Sequence, residues 1–158
     1  MMRFKVAGSW IVALSLLAVV GLAPPARTED RTKDAKVEHQ EHHGMMMACA
    51  KACSDCQREC DMCGHHCATM LAEGKKDHLA SLATCQDCAT ICSASACIVA
   101  RMGPFSQTVC QACAECCAKC AKECEKFPKD EHMKKCAEEC RKCEKECAMM
   151  VKHMGGGK

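Results

Sequence analysis

The sequence has no tyrosine, three phenylalanines and a single tryptophan, Trp10. A core organised by aromatic packing is therefore excluded. Large aliphatics are almost as scarce beyond the first segment. Between Ala48 and Lys152 the aliphatic and aromatic positions are only Leu71, Leu79, Leu82, Ile91, Ile98, Val99, Phe105, Val109, Phe127 and Val151, far fewer than a domain of this size normally buries. Neither charge sign is in excess. The 22 Lys and Arg include Arg3 and Lys5, and the 20 Asp and Glu all follow residue 28, so the chain beyond the first segment is balanced. The two signs alternate along it, which leaves no basic face for nucleic acid or an acidic membrane. No serine, histidine and acid combination stands out, and no single cysteine is set apart from the others, so nothing suggests an enzyme.

What the chain does have is 20 cysteines, all between residues 49 and 147. Before them, residues 1–26 read as a secretory signal: Arg3 and Lys5, an apolar run from about Val6 to Leu22, then Ala23, Pro24, Pro25 and Ala26. The competing reading is a retained membrane anchor. The signal implies an exported protein, periplasmic or extracellular, with no membrane segment in its mature form. Residues 27–44, RTEDRTKDAKVEHQEHHG, are charged and nearly free of apolar groups, and are expected to form a flexible linker. Its His39, His42 and His43 are a weak metal-capture signal.

Residues 45–154 divide into four helical segments, and 155–158 form a disordered tail. The first segment runs from about Met45 to Ala72, ahead of Gly74 as a C-terminal cap. The second starts after Asp77 as N-cap and reaches about Met102, where GPFS breaks it. The third follows Ser106 and ends near Phe127, before Pro128. The fourth starts after Asp130. Short connections force neighbouring helices to be antiparallel, so the expected fold is all-α, an antiparallel up-down four-helix bundle with a cysteine-lined core. Glu115 with Lys119, and Glu138 with Lys142, are i, i+4 pairs in the favourable order on the outer face.

The cysteines occupy the positions where a bundle normally places leucine. Cys49, Cys53, Cys56, Cys60, Cys63 and Cys67 step by 4, 3, 4, 3, 4 and keep to one helix face, continued by Met70. Cys85, Cys88 and Cys92 do so in the second helix, Cys110, Cys113, Cys117, Cys120 and Cys124 in the third, and Cys136, Cys140, Cys143 and Cys147 in the fourth. Two fall outside the stripe. Cys97 is five residues past Cys92, roughly 140° round the helix, and Cys116 is on a flank.

Replacing leucine by cysteine forgoes methylene burial at about 0.8 kcal/mol per group, so packing does not account for the pattern. A disulfide framework is the default for a cysteine-dense exported chain. It fits poorly here, because thiols at i, i+3 and i+4 share a direction and a continuous stripe would scramble. A soft metal fits better, since thiolates select Cu(I), Zn(II) or iron–sulfur clusters. Zinc needs four ligands and a separate site for each ion, whereas these pairs overlap and Cu(I) shares sulfurs between ions. Twenty thiols used two per ion, or bridged throughout, hold on the order of 10 to 20 Cu(I) per chain. The alternatives are a disulfide-stabilised structural protein and a zinc or cadmium thiolate buffer.

The antiparallel arrangement also sorts the remaining candidates by end. Met45, Met46, Met47, Met102, Met149, Met150, Met154 and His153 gather at one end, the expected mouth. Met70, Leu71, Leu79, Leu82, His78, Phe127, His132 and Met133 gather at the other, expected to be largely plugged by apolar groups. Beside the stripe cysteines, the further metal candidates are Cys97, Cys116, Met45, Met46, Met47, Met102, Met150, Met154 and His132. His65 and His66 read as surface histidines.

The segments CAKACSDCQREC and DMCGHHC, CQDCATIC, CQACAECCAKCAKEC and EHMKKCAEECRKCEKEC together resemble the copper storage protein family. The resemblance implies a bundle holding many Cu(I) ions on its inward cysteines, with Met and His at one open end. It also implies a homotetramer and exchange of copper with donor or acceptor proteins.

Overall fold

The computed structural model describes residues 28–156. Four helices follow one another: α1 (Thr28–Ala72), α2 (Leu79–Ala100), α3 (Ser106–Cys124) and α4 (Glu131–Gly155), with a single 3₁₀ turn, Lys76–His78, before α2. They form the up-down bundle, each helix packed on its chain neighbours and α4 closing against α1.

The ends of the helices follow from local chemistry. After α1 the chain turns at Gly74, whose φ of +88° is open to glycine and costly for other residues. There the Gly74 and Lys75 amides donate to the carbonyls of Leu71 and Met70 at 2.9 and 3.0 Å. Asp130 caps α4, its side chain accepting from the amides of His132 and Met133. Asp77 does not cap α2. It lies inside the 3₁₀ turn, and His78 precedes the helix without a side-chain cap.

Two of the expected boundaries move. Thr28–Gly44, read as a flexible linker, continues α1 as helix. The segment has no proline, and its Glu, Lys and Arg residues are good helix formers, so extending a helix already nucleated by the buried cysteine face is cheap. The bundle also runs past 154, since α4 reaches Gly155 and Gly156 still accepts a turn geometry, its amide donating to Lys152. Residues 1–26, the expected signal, and the last two residues of the expected tail lie outside the described residues.

The core has an unusual composition. Besides cysteine and alanine it contains Met46, Met133, Met150 and Val99, and Val99 is the one fully buried branched aliphatic among the described residues. Leu82, Ile91, Val109, Phe127 and Val151 lie partly buried around it. The outer faces carry the ion pairs. Arg141 makes a two-pronged contact with Glu125, at 2.8 and 2.9 Å, that ties α4 to the end of α3. Glu59, buried on α1, meets Lys135 of α4 at 3.2 Å. Lys142 pairs with Glu139 one turn back, not with Glu138 as the spacing suggested.

Gly74→Ala is expected to destabilise the fold by about 1 kcal/mol, because alanine there must adopt a left-handed conformation. Equilibrium denaturant unfolding of the reduced protein checks this, with a lower midpoint and an unchanged slope.

Candidate metal centre

Every stripe cysteine is buried. All eighteen lie in the core, Cys116 is half-buried and Cys97 is exposed, and none of the twenty is bridged. The off-stripe angle explains Cys97, which α2 turns toward solvent. Cys116 sits in the cleft between α2 and α3.

The inward sulfurs make one continuous column. Starting at the end where α1 enters the bundle, Cys49 lies 3.7 Å from Cys110 and 3.8 Å from Cys147. One turn on, Cys53 is 3.6 Å from Cys147 and 3.7 Å from Cys143. Cys56 then reaches Cys117 at 3.8 Å and Cys140 at 3.7 Å. From α2, Cys92 is 3.6 Å from Cys113 and Cys88 is 3.6 Å from Cys117. Further along, Cys60 meets Cys140 at 3.6 Å and Cys136 at 3.8 Å, and Cys85 meets Cys120 at 3.7 Å. Most of these sulfurs thus have two or more near-equivalent neighbours and no single bonding partner, which is not disulfide geometry.

The sulfurs form four-thiol groups with all members within 4.8 Å of one another. Cys53, Cys113, Cys143 and Cys147 make one group; Cys56, Cys92, Cys117 and Cys143 the next; then Cys56, Cys60, Cys88 and Cys140; then Cys60, Cys120, Cys136 and Cys140; then Cys63, Cys85, Cys124 and Cys136. Successive groups share members, so the column has no boundary at which one metal site ends and another begins.

Sharing protons has the same network character. Cys56 is held below the ordinary thiol range by S–H contacts from Cys117, Cys140, Cys143 and Cys60, against its burial. Cys120 is held down similarly by Cys124, Cys136, Cys140 and Cys60. Their neighbours pay the complement: Cys60 is pushed up by Cys120, Cys136, Cys140, Cys56 and burial, and Cys147 by Cys110, Cys113, Cys143, Cys49 and burial. A cation bound in the column must displace the protons these thiols share.

The two ends of the column are not as the spacing suggested. At the α1 entrance Met46 and Met150 are buried, and Met45 and Met154 are partly buried beside them. Met47 and Met102, also expected at the mouth, are 45% exposed, as is Met149 at 39%. Met47 is one residue and so 100° round from Met46, and Met102 occupies the left-handed turn after α2, φ +51°. The extension of α1 adds a contact that no linker would make, His42 Nδ1 to His153 Nε2 at 3.0 Å. The other end is not simply apolar. Met133 is fully buried with its sulfur 3.4 Å from Cys63 and 3.6 Å from Cys67. His132 is exposed on the outside of α4, its ring stacked on His66 with centroids 4.6 Å apart. The signal for Met133, Met46 and Met150 was in the sequence, since each extends a cysteine stripe by one step of three.

Comparison with known proteins agrees with this architecture. The copper storage protein family matches residues 38–152, and the chain belongs to that family. Among solved structures, a cytosolic copper storage protein from Streptomyces lividans, loaded with five coppers, is 31% identical over 71% of this chain and 96% of that one, with a TM-score of 0.63. Streptomyces lividans Ccsp loaded with 10 copper equivalents is 32% identical over 68% of this chain and 84% of that one, with a TM-score of 0.61. The Cu(I)-bound copper storage protein BsCsp3 is 30% identical over 68% of this chain and 98% of that one, with a TM-score of 0.61. A comparison with curated proteins finds no match. The expectation of an exported, periplasmic or extracellular protein is corrected at this point. It rested on residues 1–26, which lie outside the described residues, and the Streptomyces lividans relative is described as cytosolic.

Because most of the column must deprotonate to bind, loading with Cu(I) is expected to release close to one proton per thiol engaged and to weaken as the pH falls. Titration in unbuffered solution under a pH-stat checks this. Loading without proton release would rule out the thiols as ligands.

Proposed function

We propose that the protein stores Cu(I), taking on the order of 10 to 20 ions per chain on the eighteen buried cysteines, with Cys116 at the flank of the column. It acts as a binding protein and not as an enzyme. The observation that carries this reading is the sharing of members between successive four-thiol groups. An ion that tolerates two or three sulfurs and bridges through them can fill such a column, whereas ions needing private four-sulfur cages leave it half used. Charge supports the same choice. One thiolate offsets one Cu⁺, while a Zn(II) with four thiolates buries two net negative charges.

A zinc or cadmium buffer has one observation in its favour. A tetrahedron with 2.3 Å Zn–S bonds has edges of about 3.8 Å, close to the 3.6 to 4.0 Å separations among Cys53, Cys113, Cys143 and Cys147. Metal competition separates the two. An anaerobic Cu(I) titration of the reduced protein, followed by near-ultraviolet absorbance in a chain without tyrosine, is expected to rise linearly to ten or more equivalents. The copper should stay bound against a Cu(I)-specific chelator and displace preloaded zinc. Saturation at one or two equivalents, or zinc that copper does not displace, would overturn the storage reading.

Met46, Met150, Met45 and Met154, with His42 and His153 beyond them, form the mouth. Thioether and imidazole groups accept Cu(I) without first losing a proton from sulfur, so they serve as the initial ligands. Replacing Met46 and Met150 by leucine, which conserves volume, is expected to slow loading severalfold in stopped-flow mixing and to leave the final capacity unchanged.

A further inference from the structure

On both helices that frame the α1 entrance, the donor atoms change in the same order. Along α1, stepping back from Cys49 by three and then four residues gives Met46 and His42. Along α4, stepping on from Cys147 by three and again by three gives Met150 and His153. At a rise of about 1.5 Å per residue, the histidines stand roughly one turn outside the methionines. Thiol thus gives way to thioether and thioether to imidazole, a borderline donor that suits Zn(II) and Cu(II).

The two imidazoles meet across the entrance. His42 Nδ1 lies 3.0 Å from His153 Nε2, and the rings stack with centroids 5.1 Å apart and planes 29° from parallel. A tetrahedral ion with Zn–N bonds of about 2.0–2.1 Å holds its nitrogens about 3.3 Å apart, so a slight opening of this pair admits one. Two more histidines share the helix side. At roughly 100° per residue, His42, Met46, His39 and His43 fall within a single sector of about 100° on α1, the side whose Met46 is buried in the bundle. His39 and His43, both exposed, have the i, i+4 spacing with which one helix grips zinc. His153 belongs to the last turn of α4, where the free carbonyls favour a cation.

We propose that the helical extension of α1 builds a divalent-cation site over the column entrance, in which an ion of the zinc class is bound by His42 and His153 and completed by the His39 and His43 pair. Cu(I) passes these imidazoles for the softer sulfurs beneath them. Once Cu(I) has filled the column, zinc finds no free thiolate there and is left with the imidazoles. The occupied site ties the extension to the end of α4 above Met46 and Met150. It therefore caps a full store and retards the return of copper through this end. The capping role rests on the storage reading above; the cation site itself does not.

The test uses the full chain, reduced and anaerobic, with ¹⁵N-labelled histidine, first filled with Cu(I) until the thiolate absorbance stops rising. Zinc chloride is then added and the excess dialysed away. About one Zn(II) per chain is expected to remain, with the ring nitrogens of His42 and His153 shifted. His42→Ala and His153→Ala are each expected to weaken zinc binding at least about tenfold, the least that even a group behind a metal ligand contributes. The double variant should bind no more weakly than either single one, since each removes the same cross-helix site. His65→Ala, on the bundle's outer surface, should change nothing. Removal of copper by a Cu(I)-specific chelator is expected to slow severalfold with zinc present, and to lose that dependence in His42→Ala. No retained zinc, or zinc retained with the His42 and His153 resonances unmoved, would overturn the site; copper removal indifferent to zinc would overturn the cap. Zinc that displaces copper from the column, seen as loss of the thiolate absorbance, would instead overturn the storage reading.

Discussion

Sulfur-to-sulfur contact across the bundle axis is the interaction on which the rest of this structure depends. Four helices carrying cysteine at steps of three and four bring their thiols to a common line, and separations of 3.6 to 4.0 Å repeat from Cys49 to Cys136. The spacing that makes the helices pack is the same spacing that makes the column continuous. Packing and ligand placement are therefore one design, and neither can be altered without the other.

That coupling has an energetic consequence. Cysteine side chains bury little surface, and Val99 with three methionines is a small complement of larger groups. The apo bundle must draw on helix propensity, on alanines that let the helices approach, and on surface ion pairs worth a few tenths to 1 kcal/mol each. Metal bound to the native column and not to the unfolded chain adds stability in proportion to its affinity. A storage protein of this kind is firmest when full, which suits a cargo that is harmful when free.

The ends of the column decide how cargo moves. Along its length the thiols are sealed by the four helices, so exchange with solvent must pass where sulfur gives way to other donors. At the α1 entrance Met46 and Met150 are buried below the His42–His153 pair; at the far end Met133 is buried against Cys63 and Cys67. The helical extension that replaces the expected linker matters here, because it carries His42 into reach of α4.

The sequence by itself determined the all-α class, the four segments, and the inward eighteen cysteines as distinct from Cys97 and Cys116, because a heptad spacing fixes which face of a helix a residue occupies. The thiol ladder was likewise enough to suggest the family. Tertiary structure alone decided which sulfurs touch, since contact depends on the relative height of four helices, and no single stripe encodes that. It also decided the ends, where Met47 and Met102 turn outward and Met133 turns in. The joining of His66 to Asp130, 64 residues apart, needed the packing of α1 against the start of α4. Periodicity is a property of one helix at a time, and a site made where helices end depends on how they meet.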